Sequence, residues 1–273
     1  MKTVLITGTS SGIGKATAKF FYEKGWNVAA TMRNPEKEQD LIDDKSLKKI
    51  KLDVQDKNTI KSAIKETIDT FGKIDLLINN AGYGSAGPLE SATDEQIKRQ
   101  FDVNLFGLID VIREVLPHFR ANKNGLIINI SSIGGLVTFP FFSLYHSTKW
   151  ALEGLTESLQ YELNPLGIKL KIVEPGGVKT DFAGRSLDMF DSSNYPDYQE
   201  NLGKIVKYFS TNVEREGNLS TSEKIAGIIY DAATDGSEQF RYVAGDDAQQ
   251  IWQLRQQVKY EDFRAGIKNQ MLS

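Results

Sequence analysis

Residues 145–149 read Tyr-His-Ser-Thr-Lys, which sets a phenol four positions before an ammonium. On a helix, residues four apart share a face, so Tyr145 and Lys149 can open onto one cleft. A phenol can hand a proton to an alkoxide as a carbonyl is reduced, provided its pKa falls from about 10 toward neutrality. A neighbouring positive charge favours the phenolate. Ser132 closes the apolar run 125–132, a strand end from which its hydroxyl can hold a substrate oxygen beside the phenol. The same residue types have plainer readings. Tyr and Lys are common neighbours on half-exposed helices, and Ser132 with Lys149 is formally a hydrolytic Ser-Lys dyad.

A second stretch favours the first reading. Thr-Gly-Thr-Ser-Ser-Gly-Ile-Gly (7–14) lies between an apolar run and an amphipathic one at the start of the chain. Gly8 permits a sharp turn, Gly12 lets backbone approach a pyrophosphate, and Gly14 lets a helix pack closely on a sheet. The helix N-terminus then offers N–H groups and a partial positive charge to phosphates. A hydrolytic dyad would leave this turn without purpose.

The rest of the chain must position these groups. Apolar runs at 4–7, 27–32, 48–54, 74–80, 125–132 and 168–175 read as strands, with a shorter one near 240–244. Between them, amphipathic patterns predict helices at 15–25, 57–71, 94–120, 144–163 and 221–233, and Thr93 with Gln96 forms a capping box. Strands rich in Val, Ile and Leu that alternate with helices indicate a parallel sheet covered on both faces, with ligands beyond the strands' carboxyl ends. The pattern loosens over 181–216, and the polar tail 246–273 reads as helical in part. One domain accounts for all 273 residues.

Composition narrows the classes. The net charge is -3, from 33 basic and 36 acidic residues, so nothing points to nucleic acid. There is no cysteine, hence no disulfide framework or thiolate metal site. His118 and His146 lack carboxylate neighbours at metal-ligand spacing, and His146 is expected at the surface. The first residues lack a signal peptide's longer apolar stretch and cleavage site, and no segment approaches the roughly eighteen apolar residues of a membrane span. A soluble, cytoplasmic protein is expected.

The TGxxxGxG spacing resembles the short-chain dehydrogenase/reductase family, and further motifs follow in order: NNAG at 79–82, Asn104, Ser132, YxxxK at 145–149, and PG at 175–176. Ser132 precedes Tyr145 by the family's thirteen residues, which selects it over Ser131. The resemblance covers roughly residues 1–245. It implies an α/β fold, a single Rossmann-type doubly wound parallel sheet of about seven strands with helices on both faces. It makes Tyr145 the acid/base, with Lys149 lowering its pKa and gripping the nicotinamide ribose. Ser132 orients the substrate carbonyl, and Asn104 holds a water in the proton relay. The short tyrosine-to-lysine spacing separates the chain from the enoyl-reductase branch of the superfamily.

The cofactor implied is NADP(H). Met32 holds the position where NAD-preferring members carry Asp, and Arg33 follows it, a fork of donors suited to a phosphate dianion. Thr9 and Ser10 are candidates to assist, within the turn Gly8, Thr9, Ser10, Ser11, Gly12, Ile13 and Gly14. Asp53 and Val54 resemble the pair that meets adenine. Asn80, Ala81 and Gly82 would line the adenosine side, and Pro175, Gly176, Val178 and Thr180 the nicotinamide side. Family members are commonly dimers or tetramers built on the two long helices, so a homo-oligomer is expected. Residues 184–216 suggest a mobile lid, with Leu187, Met189, Phe190, Tyr195, Tyr198, Tyr208 and Phe209. With Phe139, Pro140, Phe141 and Phe142 they would form a pocket for a small hydrophobic carbonyl or alcohol, several of them merely pinning the lid. A rival from another class is a catalytically silent dinucleotide-binding sensor; the intact Ser132, Tyr145 and Lys149 argue against it.

Overall fold

The computed structural model describes residues 1–179, 186–214 and 219–273. Strands β1 (Thr3–Thr7), β2 (Asn27–Met32), β3 (Leu47–Lys51), β4 (Leu76–Asn79), β6 (Gly125–Ile130), β7 (Ile168–Pro175) and β11 (Arg241–Ala244) form one seven-stranded sheet. Its order is β11-β7-β6-β4-β1-β2-β3, and every pairing is parallel. The chain builds outward from β1 through β2 to β3, then returns to β4 on the other side. Strand order therefore reverses between β1 and β4, and a crevice opens beyond their carboxyl ends.

All five residues of β1 are buried, which is why its sequence is an apolar run rather than an alternation. Helices α1 (Gly12–Glu23) and α7 (Ser222–Thr234) cover one face through Ala18, Phe21, Ile225 and Ile229. Helices α2 (Lys57–Phe71), α4 (Gly107–Asn122) and α5 (Ser143–Leu163) cover the other, burying Ile60, Ile64, Val111, Val115, Phe119 and Leu152. Asp56 caps α2 by accepting from Asn58 N–H, and Gly72 ends it at φ 82°.

Three departures from the sequence reading matter for function. The helix expected at 94–120 runs as α3 (Asp94–Phe101), a π-helical turn over 102–106, and α4; the capping box of Thr93 and Gln96 is formed at its start. The loose stretch contains β9 (Leu187–Met189), paired with β5 (Gly84–Ala86), and helix α6 (Gln199–Glu214). The polar tail forms α8 (Asp246–Gln257) and α9 (Tyr260–Leu272), and α9 buries Phe263, Ile267 and Met271. These pack with Ile205 of α6 and with Ile133 and Val137 in a third apolar cluster, so the tail supports the segment that follows Ser132. Among the described residues no helix is long and apolar enough to cross a membrane.

Candidate active site

The β1–α1 turn is shaped by close approach. Gly8 adopts φ 72°, and a Cβ there would lie 2.8 Å from Cα of Ala81. A Cβ on Gly14 would lie 2.3 Å from the Gly8 carbonyl oxygen and 2.4 Å from Nδ2 of Asn80. Asn80 clamps the turn by donating from Nδ2 to the carbonyls of Thr7 (2.9 Å) and Gly8 (3.0 Å). The Thr7 hydroxyl accepts from the N–H groups of Asn80 and Ala81, both at 3.0 Å. The NNAG segment is thus a buckle across β1 and β4. Ser11 caps α1 in extended conformation at φ -162°.

This turn forms one end of a cleft of about 470 Å³, within the range of small-molecule sites. Gly8, Ser10, Ser11, Gly12, Ile13 and Gly14 line that end, with Arg33, Asp53, Val54, Asn80, Ala81 and Gly82 beyond them and Tyr145 and Lys149 at the far side. Arg33 stands exposed directly after buried Met32. Asp53 is folded back on its own turn, its Oδ1 accepting from Gln55 N–H at 3.0 Å. A dinucleotide fits this frame: the crowded glycines leave backbone where phosphates approach, and a single cleft joins them to the phenol.

Some expected cofactor residues lie elsewhere. Thr9 is buried and its hydroxyl donates to the Thr31 carbonyl at 3.1 Å, which turns it from any phosphate. Pro175 ends β7 and Gly176 follows it, where a Cβ would lie 2.3 Å from Asp247 Oδ2. Val178 pairs with Ser220 between β8 (Val178–Lys179) and β10 (Ser220–Thr221). None of these four lines the cleft described. Thr180 lies outside the described residues.

At the far side, Ser132 and Tyr145 share a hydrogen bond, and the Ser132 hydroxyl accepts from Gly134 N–H at 3.0 Å. Lys149 is buried, donates to the Ile130 carbonyl at 2.9 Å and sits 5.8 Å from the Tyr145 ring centre. Burial holds its pKa down to about 8, opposed by the charge of Glu153. The phenol departs from the expectation of a lowered pKa. Burial raises it, and the Ser132 hydrogen bond only partly offsets that. Lys149 points its ammonium at a backbone carbonyl, so desolvation wins at Tyr145.

Asn104 occupies the π-helical turn, a widening common at functional sites. Its Oδ1 accepts from Tyr83 N–H at 3.0 Å, and its Nδ2 donates to the Tyr83 carbonyl (2.8 Å) and to Thr148 (3.2 Å). The side chain is a brace between the NNAG segment and α5. His146, expected at the surface, is 4% exposed. Its ring packs at 5.6 Å from Phe139 and 5.8 Å from Phe142, and burial lowers its pKa to about 4. It is neutral, accepts from Phe139 N–H at 3.3 Å, and supports the turn after Ser132. His118 accepts from Ile74 N–H at 3.0 Å, and no metal-binding group occurs among the described residues.

Sequence reasoning missed Tyr83, Arg99 and Asp188, which also line the cleft. Arg99 stacks 4.8 Å above the Tyr83 ring, and Asp188 accepts from Gln96 at 3.0 Å. The pairing of β5 with β9 brings Asp188 beside Tyr83, and Arg99 of α3 meets both, so three elements up to a hundred positions apart leave no local signal. Several aromatics of the stretch expected to form a lid serve as anchors. Phe190 is buried against Gly87, Tyr198 donates to Glu90 at 3.0 Å, and Phe209 meets Phe142 edge-on at 5.5 Å.

Residues 2–189 match the family model described as short chain dehydrogenase. The chain belongs to the short-chain dehydrogenase family. It is 39% identical over 245 residues to an uncharacterized oxidoreductase of Schizosaccharomyces pombe, covering 88% of this chain and 99% of that protein. It is 37% identical over 243 residues to a 3-ketodihydrosphingosine reductase of Bacteroides thetaiotaomicron, covering 89% and 87%. Among solved structures, a short-chain dehydrogenase from Streptomyces avermitilis superposes with TM-score 0.83 at 32% identity, over 98% of this chain and 95% of that one. ElxO with NADP bound superposes with TM-score 0.74 at 29% identity, over 90% and 97%. As in that family, the chain is an oxidoreductase on a Rossmann-type sheet.

Proposed function

We propose that this short-chain dehydrogenase reduces an apolar ketone or aldehyde, or oxidises the matching secondary alcohol, with NADP(H). The observation that carries the reading is Tyr145, hydrogen-bonded to Ser132, with buried Lys149 in the same cleft as the glycine turn; Ser131 lines that cleft and Ser132 stands behind the phenol. The cofactor supplies or accepts hydride when bound. Ser132 fixes the substrate oxygen against the phenol, and Tyr145, kept protonated by burial, donates its proton as that oxygen becomes an alkoxide. Lys149 draws the resulting phenolate and holds the ribose. Asn104 braces the helix that carries both, and any water it holds in the relay would sit on its backbone carbonyl, its side chain being engaged. Ser10, Ser11 and the N–H groups of Gly12, Ile13 and Gly14 take the phosphates. Asp53, Val54, Asn80, Ala81 and Gly82 flank the adenosine. Thr180, with Pro175, Gly176 and Val178, remains the proposed nicotinamide side by resemblance.

Preference for NADP(H) over NAD(H) rests on exposed Arg33 beside Met32, and the NADP in ElxO agrees with it. A charge-assisted contact to the extra phosphate should separate the cofactors by about ten- to a hundredfold. Arg33→Ala should raise KM for NADPH by that factor and leave NADH little changed. Equal use of both cofactors by the unmutated enzyme would refute this.

The apolar substrate is supported by Phe142, whose ring packs against Phe209 and against His146, the residue after Tyr145, and by the 3-ketodihydrosphingosine in the name of the Bacteroides relative. A homo-oligomer fits Phe106, at the π-helical turn before α4, and Trp150 and Tyr161 on α5, which are 53%, 49% and 79% exposed. Light scattering on the purified protein should give a dimer or tetramer mass; a monomer would count against it.

A further inference from the structure

Behind the catalytic helix lies a buried acidic pair. Glu153 stands one turn after Lys149 on α5 and Glu174 lies on β7, with side chains 9% and 0% exposed. One guanidinium serves both. Nη1 of Arg241 is 2.6 Å from Oε2 of Glu153 and 2.5 Å from Oε1 of Glu174, and Nη2 is 3.8 Å from exposed Glu157. Oε2 of Glu174 and Oε1 of Glu153 both lack a hydrogen-bond partner among the described residues. A Cβ on Gly135 would lie 2.7 Å from Oε1 of Glu153 and 2.8 Å from Oγ of Ser131, so this acid sits directly beneath the turn that carries Ser132.

The two carboxylates converge on one nitrogen of a guanidinium whose side chain is 26% exposed, and like charges this close in a low-dielectric interior favour a proton on one of them, even with the Lys149 ammonium beside Glu153. The cations decide where that proton rests. Burial raises both acids; Arg241 and Lys149 draw Glu153 back, whereas Glu174, drawn back by Arg241 and the Tyr242 N–H, is pushed further by Glu153 as a like charge.

We propose that Glu153 and Glu174 share one proton, held on Glu174, and that the carboxylate this leaves on Glu153 is a positioning residue keeping Lys149 an ammonium. The proposal rests on the role given to Lys149 above and names what maintains its charge. Burial and the neighbouring carboxylate push Glu174 up to about 8, while burial alone brings Lys149 down to about 8 against the pull of Glu153. Removing either acid leaves the other alone with Arg241, where it ionises. In Glu174→Gln the surviving charge stays beside Lys149. In Glu153→Gln it moves to β7, away from Lys149.

Infrared spectroscopy of the full-length protein at pH 7 tests the shared proton without any ligand. A protonated-carboxyl band should appear in the wild type and in a Glu157→Gln control, and be lost from both Glu153→Gln and Glu174→Gln. NADPH affinity measured by fluorescence against pH tests the positioning. It should weaken above about pH 8 in the wild type and in Glu174→Gln. In Glu153→Gln the midpoint should move down by about one pH unit, the low end for loss of a nearby opposite charge. No wild-type band that vanishes in either variant would overturn the shared proton, and a shift in Glu174→Gln as large as in Glu153→Gln would overturn the positioning. A protein that binds no NADPH would instead refute the proposed function, and the infrared result would still decide the proton's place.

Discussion

Tyr145→Phe should lower kcat on the order of 10²–10⁴-fold, the loss expected when a positioned acid is removed, while NADPH binds as in the wild type. The phenol oxygen is the atom withdrawn. Its ring remains to fill the half-buried site beside His146, and Lys149 keeps its bond to the Ile130 carbonyl. Because burial raises the Tyr145 pKa, the group is a neutral phenol at pH 7 and suited to donate. Lys149→Ala should differ in kind, losing turnover and cofactor affinity together. Titration of NADPH fluorescence alongside steady-state rates separates the cases. Retention of most activity by Tyr145→Phe would mean that the proton comes from another group.

Gly14→Ala is the second large effect. The added methyl would lie 2.3 Å from the Gly8 carbonyl oxygen and 2.4 Å from Asn80 Nδ2. The first is backbone and the second belongs to the clamp that holds the turn, so neither can retreat without opening it. Overpacking of this kind costs about 1–3 kcal/mol, and the same displacement carries the phosphate-facing N–H groups out of place. A lowered Tm should therefore accompany an NADPH affinity reduced by about tenfold or more. Gly266→Ala is the control. That glycine is exposed within α9, meets no atom within 4 Å, and as alanine should gain about 0.5–1 kcal/mol. Unchanged cofactor affinity in Gly14→Ala would contradict the placement of the phosphates.

The inner strands of the sheet were legible because burial on both faces writes them as apolar runs, whereas the edge strands β3 and β11 are only half-buried. The glycine turn, Ser132, Tyr145 and Lys149 were legible because their spacing is local. What escaped notice depends on distant pairing. Tyr83, Arg99 and Asp188 meet at the cleft through α3 and the pairing of β5 with β9. The tail read as polar and helical in part, and its packing was hidden because Phe263, Ile267 and Met271 are spaced through a polar helix whose partners lie in α6 and after Ser132. His146 looked like a surface residue because nothing near it in sequence shows Phe139 and Phe142 folding over its ring. Thr9 looked available to phosphate until the Thr31 carbonyl took its hydroxyl. The Glu153–Glu174 pair was invisible for the same reason, since helix and strand contribute one acid each.

The central claim is that the cleft joining the glycine turn to Tyr145 performs hydride and proton transfer at a carbonyl. Ketone-dependent oxidation of NADPH by the purified wild-type protein, measured over aliphatic and aryl ketones of increasing size, tests it most directly. The account predicts turnover whose kcat/KM rises with apolar size up to about an aryl ketone. Tight NADPH binding with no oxidation by any ketone or aldehyde, and no reduction of NADP by the matching alcohols, would contradict it.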